Sequence, residues 1–265
     1  MKLIQSHDNP FFKDLVKLAG SARQRGKSGQ TLLDGTHLLA AYLDAGKQPL
    51  HILLNSAALK DDEVEALLKR ASGVAMTQLD DRLFAELTEL KTPTGILALV
   101  EVPQPLPADS RFALLLEDIQ DPGNLGSMLR SAAAAGCDAV YLSKGCADAW
   151  SPRVLRAAMG GHFALSIYEA SDLLAVAATL PGTVFAASLH GDSGLYECDL
   201  GGDIAFVIGN EGAGLSEALQ AAATRRFTIP MPGKVESLNA AAATAVCLFE
   251  AVRQRSTGVA QARCP

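Results

Sequence analysis

No apolar run in this 265-residue chain approaches the roughly 20 residues that span a bilayer, and its opening, MKLIQSHDNP, lacks the core of a secretion signal. Both absences argue against a membrane-embedded or exported protein, and cytoplasmic residence is expected. Cysteine is scarce and scattered: Cys137, Cys146, Cys198, Cys247 and Cys264 form no C-x-x-C pair. Such an odd, dispersed set argues against a disulfide frame or a zinc site and reads as isolated thiols. No cluster of metal ligands occurs elsewhere, so no metal is expected. There is no G-x-G-x-x-G turn with a downstream acid, and no glycine loop followed by Lys. A dinucleotide or a nucleoside triphosphate is therefore disfavoured. Excess positive charge is missing too. The net charge of −6 argues against broad nucleic-acid affinity, which rests on Lys and Arg neutralising phosphates.

What is present is a globular composition, 49% hydrophobic and 20% charged, in a length that suits two domains. Charge is unevenly spread. Residues 1–30 carry Lys2, Lys13, Lys17, Arg23, Arg25 and Lys27 against only Asp8 and Asp14. A basic arm on an acidic body fits one polyanion-facing surface, or else a solvated helix face followed by a flexible SARQRGKSG loop. The stretch EVPQPLPADS, with three prolines, separates two apolar strands and reads as a linker. The expected domains are residues 1–101, a linker over 102–110, and 111–265. Before the linker, helical patterns near 11–19, 35–45, 61–70 and 80–87 alternate with strands near 31–33, 50–54 and 95–100. This is a small α/β domain. After it, strands are expected at 112–117, 138–142, 164–168, 183–187, 204–208 and 226–229. Helices are expected at 124–136, 151–158, 171–179, 215–222 and 238–254. Near-continuous apolar strands alternating with helices imply a parallel sheet covered on both faces. In such sheets ligands bind beyond the carboxyl ends of the strands.

Three loops at that end carry unusual residues. In LEDIQDPGNLGSMLRSAAAAG, Pro122 and Gly123 force a turn and Asn124 is suited to cap the following helix. Arg130 lies three residues beyond Ser127 on that helix; such an Arg is either a surface ion-pair residue or a functional cation. In GNEGAGLS, Gly209, Gly212 and Gly214 permit positive φ and close contact, while Glu211 is an odd acid for a phosphate loop. Backbone here could hold an adenine or an amino-acid moiety, with Glu211 facing a cation; the plain alternative is a tight turn with a solvated acid. In RRFTIPMPGKVESLNAAAATAVCLFE, prolines bracket Met231 and keep the chain open along a groove. Ser237 and Asn239 both suit the cap of the next helix. Both cannot cap it, so one is left for another partner.

Taken in order, DPGNLGSMLRSAAAAG, FVIGNEGAGLS and IPMPGKVESLNAAAATAV resemble the three motifs of the SpoU/TrmH family of SPOUT RNA 2′-O-ribose methyltransferases. The resemblance covers about residues 110–255. The segment FKDLVKLAGSARQRGKSGQTLLDGTHLLAAYLDAG is similar, more loosely, to the L30e-like substrate-binding domain that often precedes the catalytic one. The implied fold class is α/β, an L30e-like domain followed by a SPOUT domain whose parallel sheet contains a trefoil knot. The implied cofactor is S-adenosylmethionine. Its sulfonium and lack of phosphate remove the objection to Glu211. The resemblance places this cofactor against Gly209, Asn210, Gly212, Ile229, Met231 and Leu238. It gives catalytic or RNA-orienting roles to Asn124, Arg130, Glu211, Ser237 and Asn239.

It also implies an RNA partner and a homodimer that shares its active site. The substrate expected is ribosomal RNA, with transfer RNA second and an inactive RNA-binding protein as the remaining alternative. Lys13, Lys17, Arg23, Arg25 and Lys27 would supply phosphate contacts. Family schemes make Arg130 the general base. A guanidinium stays protonated near neutrality and is a poor proton acceptor, so Arg130 is read instead as a clamp on an RNA phosphate, oriented by Asn124 and Glu211. Ser237 and Asn239 would fix the ribose. One departure stands out: SPRVLRAAMGGHFALSIY fills a position where relatives commonly carry a serine and a small residue ahead of the glycine; Met159 and His162 stand nearby, and His162 is expected to be structural.

Overall fold

The structure, a computed structural model, describes residues 1–90, 92–105 and 110–261; Cys264 and residues 106–109 of the expected linker lie outside them. In chain order the first half forms β1 (Lys2–Ile4), α1 (Pro10–Gly20), α2 (Ala22–Ser28), β2 (Gln30–Asp34), α3 (Thr36–Asp44), β3 (His51–Leu54), α4 (Asp62–Arg70), β4 (Ala75–Leu79), α5 (Asp81–Leu87) and β5 (Ile96–Glu101). The second half opens with β6 (Phe112–Leu116), α6 (Pro122–Ala135), β7 (Ala139–Leu142), α7 (Pro152–Ala158), β8 (Ser166–Tyr168) and α8 (Leu173–Thr179). It closes with β9 (Thr183–Ala187), β10 (Ser193–Gly194), β11 (Ile204–Ile208), α9 (Glu217–Ala222), β12 (Arg225–Thr228) and α10 (Ala240–Gln261). Two compact units result: Met1–Pro103 with Trp150–Phe163, and Gln104–Ala149 with Ala164–Pro265.

In the first unit a mixed sheet runs β1-β4-β3-β5-β2, with β5 antiparallel to both its neighbours. On α1, Phe12, Leu15 and Leu18 recur at helical spacing and bury into a cluster with Leu32, Leu53, Phe84 and Leu97. Asn9 caps α1 by accepting from the Phe11 and Phe12 amides, and Pro10 occupies the first turn, where its missing N–H costs nothing. The SARQRGKSG segment is not a loop. Ser21 caps it by accepting from the Gln24 amide, and Gly29, at φ 64°, ends it in the left-handed region, so α2 forms between them. Arg25 is thereby turned inward: it is 6% exposed, and its guanidinium donates to the carbonyls of Leu18 and Ala19 at the end of α1. Its expected role as an outward phosphate contact is corrected to that of a capping donor. Lys13 and Lys17 are exposed and paired with Asp8 and Asp14. Arg23 and Lys27, four residues apart on α2, are exposed and carry no ion pair among the described residues.

The segment Trp150–Phe163, expected with the catalytic domain, belongs to the first unit, where α7 packs beside β2. Thr31 donates to the carbonyl of Trp150, Gly160 abuts Ala41, and His162 is fully buried with its ring against Trp150 at 4.9 Å. His162 is thus buried within the first unit.

Asp34, at the end of β2, accepts a hydrogen bond from Thr88 at 2.6 Å, but its other oxygen is buried without a partner. Burial pushes its carboxyl above the ordinary range, while the Thr88 bond only partly opposes it. Between the ordinary and the raised value the folded state binds more protons, so stability falls as pH rises through that window. The variant Asp34→Asn is expected to melt higher than the wild type at pH 7. That advantage should shrink once the pH drops below the ordinary carboxylate range. Equal melting temperatures at pH 7 would contradict this reading.

The second unit holds seven parallel strands in the order β10-β12-β9-β11-β6-β7-β8. Alternate residues face opposite sides. Leu115, Val184, Ala205 and Val207 pack with Leu173 of α8 and Leu219 of α9. On the other face, Phe185, Phe206 and Phe227 meet with centroids 5.8–6.3 Å apart, and α10 packs against α6. The expected parallel sheet with helices on both faces is what forms. Cys137, Cys198 and Cys247 are buried, and burial pushes the Cys137 thiol up to about 12. Among the described residues no helix is long and apolar enough to cross a membrane, and no metal-binding cluster occurs.

Candidate functional site

The chain leaves β6 toward β7 on one side and leaves β11 toward β12 on the other, so β6 and β11 flank a topological switch point. Crevices at such points, beyond the carboxyl ends of the strands, are where open α/β sheets bind ligands. Three loops converge there.

The first follows β6. Asp121, not Asn124, caps α6: its carboxylate accepts from the Asn124 amide at 2.7 Å, and Pro122 fills the first helical position. Relieved of capping, the Asn124 side chain projects sideways as a two-ended connector. Its amide donates to Glu211 Oε1 at 2.7 Å, and its oxygen accepts from Asn239 Nδ2 at 3.0 Å. The carboxylate accepts only and the Asn239 oxygen is occupied elsewhere, so the direction of each bond is set.

The second loop follows β11. A Cβ on Gly209 would lie 2.4 Å from the carbonyl carbon and oxygen of Gly214, so only glycine fits there. Gly214 alone of the three glycines takes a positive φ, 70°. The Asn210 side chain builds this turn: its oxygen accepts from the amides of Gly212 and Ala213, and its nitrogen donates to the Asp118 carbonyl. The Asn210 side chain and the Gly212 amide are thus spent inside the loop, which leaves other backbone of the turn to meet a ligand. Glu211, at its tip, is exposed. Ser216 caps α9, and its amide donates to Glu117 at 2.7 Å.

The third loop, residues 229–239, has no regular structure. Ile229 and Met231 are half-buried, Leu238 is 38% exposed, and the prolines keep this stretch open as expected. Asn239 caps α10, accepting from Ala241 and Ala242, and still reaches Asn124 with its amide nitrogen. Ser237 is the residue left over: it is exposed and makes no side-chain hydrogen bond among the described residues.

Glu211, Asn124 and Asn239 thus form one hydrogen-bonded chain linking all three motifs. Arg130 is outside it. It lies exposed on α6 with no ion pair among the described residues, and it makes no direct hydrogen bond to Asn124 or Glu211, contrary to the orienting role expected of them. Its charge is therefore available to an anion. Missed in the sequence were Glu117, Asp118 and Ser143, which join neighbouring loops. The signal was the acid pair directly after the apolar strand in LEDIQ. An open cavity of about 380 Å³, lined by Asp192, Gln220, Arg225 and Arg226 among others, includes none of the motif side chains, and Asp192 already neutralises Arg226.

Residues 111–249 match the SpoU rRNA Methylase family, and residues 9–98 match the MRM3-like substrate binding domain. The 23S rRNA (guanosine(2553)-2′-O)-methyltransferase RlmP of Bacillus subtilis is 33% identical, covering 94% of this chain and 98% of its own. The mitochondrial rRNA methyltransferase 3A of Danio rerio is 32% identical over 91% of this chain and 68% of its own. The crystal structure of the SpoU methyltransferase AviRb from Streptomyces viridochromogenes in complex with AdoMet superposes with a TM-score of 0.83 at 29% identity, covering 94% of this chain and 99% of that one.

Proposed function

Because the chain belongs to the SpoU rRNA methylase family, we propose that it transfers a methyl group from S-adenosylmethionine to a ribose 2′-oxygen of ribosomal RNA. One observation carries this reading most directly. The Glu211–Asn124–Asn239 chain ties three separate motifs together at the switch point of the sheet.

The residues present fit the cofactor. Gly209 lets the backbone of Gly214 and Leu215 close tightly over it, the turn over 209–216 contains no Lys or Arg to await a phosphate, and Glu211 suits a cationic ligand. The open backbone and apolar side chains of Ile229, Met231 and Leu238 would hold the adenosine. When bound, S-adenosylmethionine supplies an electrophilic methyl on a positively charged sulfur, so no metal is needed to activate it.

The protein's own task is then positioning, which can contribute about 7–11 kcal/mol when the reacting atoms are held in line. Arg130 binds an RNA phosphate and stabilises charge developing on the 2′-oxygen. Ser237, with its hydroxyl uncommitted, and Asn239, locked by two roles, fix the ribose. Glu211 and Asn124 hold the loops that carry these groups at a set distance.

RNA is brought in by the first unit, whose basic arm offers Arg23 and Lys27, exposed and without an ion pair among the described residues. Lys13 and Lys17 would join them by exchanging exposed pairs that are worth little. RlmP and the mitochondrial rRNA methyltransferase 3A, which span most of the chain, bear names that place them on ribosomal RNA, and this favours that substrate over transfer RNA. The test is to incubate the protein and labelled S-adenosylmethionine with unmodified transcripts of both ribosomal RNAs and of transfer RNAs. Label in ribosomal transcripts alone is expected. Label only in transfer RNA would replace the substrate, and cofactor binding without transfer to any RNA would leave a binding protein that has lost the activity.

A cytoplasmic homodimer is part of this proposal. On α10, Ala242, Ala245, Val246 and Phe249 form an apolar stripe, and Phe249 is 47% exposed. A second copy of this chain is the occupant expected. Sedimentation should give a dimer that Phe249→Asp converts to monomer; a monomeric wild type would contradict it. Fractionation of cells should place the protein with soluble cytoplasmic markers, and recovery elsewhere would contradict that location.

A further inference from the structure

The residues after β6, Glu117, Asp118 and Ile119, take no part in the motif network, yet the loops after β7 and β11 both lean on them. Asp118 has φ 54°, a left-handed conformation that is uncommon outside glycine and that Asp tolerates better than most residues. The conformation is held from both ends. Ser143, in the loop after β7, receives the Asp118 amide on its hydroxyl oxygen at 2.9 Å and donates that hydroxyl to the Asp118 carboxylate at 2.6 Å. The carboxylate fills the space where Gly145 has no side chain: a Cβ there would sit 2.1 Å from Oδ1. In this posture the Asp118 carbonyl accepts from Asn210 Nδ2 at 2.9 Å, and Asn210 in turn shapes the turn that carries Gly209 and Glu211. Next to it, the Glu117 carboxylate accepts the Ser216 amide at the far end of the same turn, and the Cys146 thiol bonds the Leu116 carbonyl.

We propose that Asp118 is a positioning residue for methyl transfer, a latch that braces the glycine-rich turn against the loops after β6 and β7 through Ser143 and Asn210. The proposal rests on the reading of this crevice as the transfer site. It adds to it the cause of the turn's rigidity, for a turn with four exposed residues, Glu211 to Gly214, has few packing contacts of its own. Asp118 acts through Asn210, its own carboxylate being spent on Ser143.

The test compares full-length wild type with Asp118→Ala, Asp118→Asn, Ser143→Ala and Gly145→Ala. Two quantities are read: the Kd for S-adenosylmethionine by calorimetry, and amide hydrogen exchange of residues 209–216 without cofactor. Asp118→Ala and Gly145→Ala are expected to raise the Kd by about tenfold, the size of one lost hydrogen bond, and to accelerate exchange at Gly212 and Ala213. Asp118→Asn keeps a hydrogen-bonding side chain that accepts the left-handed conformation, so it should restore the Kd to within about threefold. A purely structural loss would accelerate exchange throughout the second unit, whereas the latch confines the change to residues 209–216. Should Asp118→Ala fail to fold, Ser143→Ala carries the same expectation. Wild-type Kd and exchange in both the Ser143 and Gly145 variants would overturn the latch. Absence of cofactor binding by the wild type, with exchange still accelerated in the variants, would instead overturn the transfer site on which the proposal rests.

Discussion

Replacing Arg130 with alanine is expected to slow single-turnover methyl transfer by about a thousandfold while leaving S-adenosylmethionine affinity unchanged. The magnitude follows from what that side chain is free to do. Glu211, Asn124 and Asn239 spend hydrogen bonds on each other, whereas Arg130 stands exposed on α6 with no ion pair among the described residues. An uncommitted cation beside a polyanion's backbone stabilises negative charge that develops only as the 2′-oxygen loses its proton. Its loss therefore appears in the rate and not in cofactor binding. Arg130→Lys keeps a point charge but not the planar fork, so an intermediate rate is expected. Were Arg130 the proton acceptor, the lysine variant would show a base-like titration at lower pH with RNA affinity retained. A rate for Arg130→Ala within threefold of wild type would remove the residue from the mechanism.

Gly209→Ala is expected to weaken cofactor binding by about a hundredfold. The added methyl would meet the backbone of Gly214 and Leu215 at 2.4–2.5 Å, and backbone cannot swing aside as a side chain can. Overpacking of this kind costs about 1–3 kcal/mol, and here the strain falls on the turn proposed to hold the cofactor. Gly212→Ala is the control. Its Cβ would approach only Asn210 Oδ1, at 3.5 Å, an ordinary contact, and its φ is not positive. Calorimetry should find Gly212→Ala near wild type. Equal losses in the two variants would mean that the tight approach at Gly209 is irrelevant.

How much of this was legible beforehand depends on range. The ordered motifs and the parallel sheet could be read because strand–turn–helix junctions are local and their residues contiguous. That Asn124, Glu211 and Asn239 bond to one another was not legible, because each comes from a different motif. The capping of α6 was misread although the clue was present: Pro122 belongs at the first helical position, which makes Asp121 the cap and releases Asn124. Arg25 was misplaced because a short, charge-rich helix has no apolar stripe to announce it; only Ser21 and Gly29 mark its ends. Strands β1 and β4 were missed because one is three residues long and the other, AMTQL, is half polar. The residence of Trp150–Phe163 in the first unit was out of reach, since it rests on partners such as Thr31 more than a hundred positions away. The same holds for Asp118, whose meaning comes from Ser143 and Asn210.

The most direct measurement is the chemical position of the transferred methyl group. Ribosomal RNA labelled from methyl-tritiated S-adenosylmethionine by the wild-type protein is hydrolysed in alkali, which cleaves every linkage that has a free 2′-hydroxyl. Label recovered in alkali-resistant dinucleotides, and lost in Arg130→Ala, is the predicted result. Label released in mononucleotides would place the methyl on a base, and it would contradict a crevice built around a ribose hydroxyl.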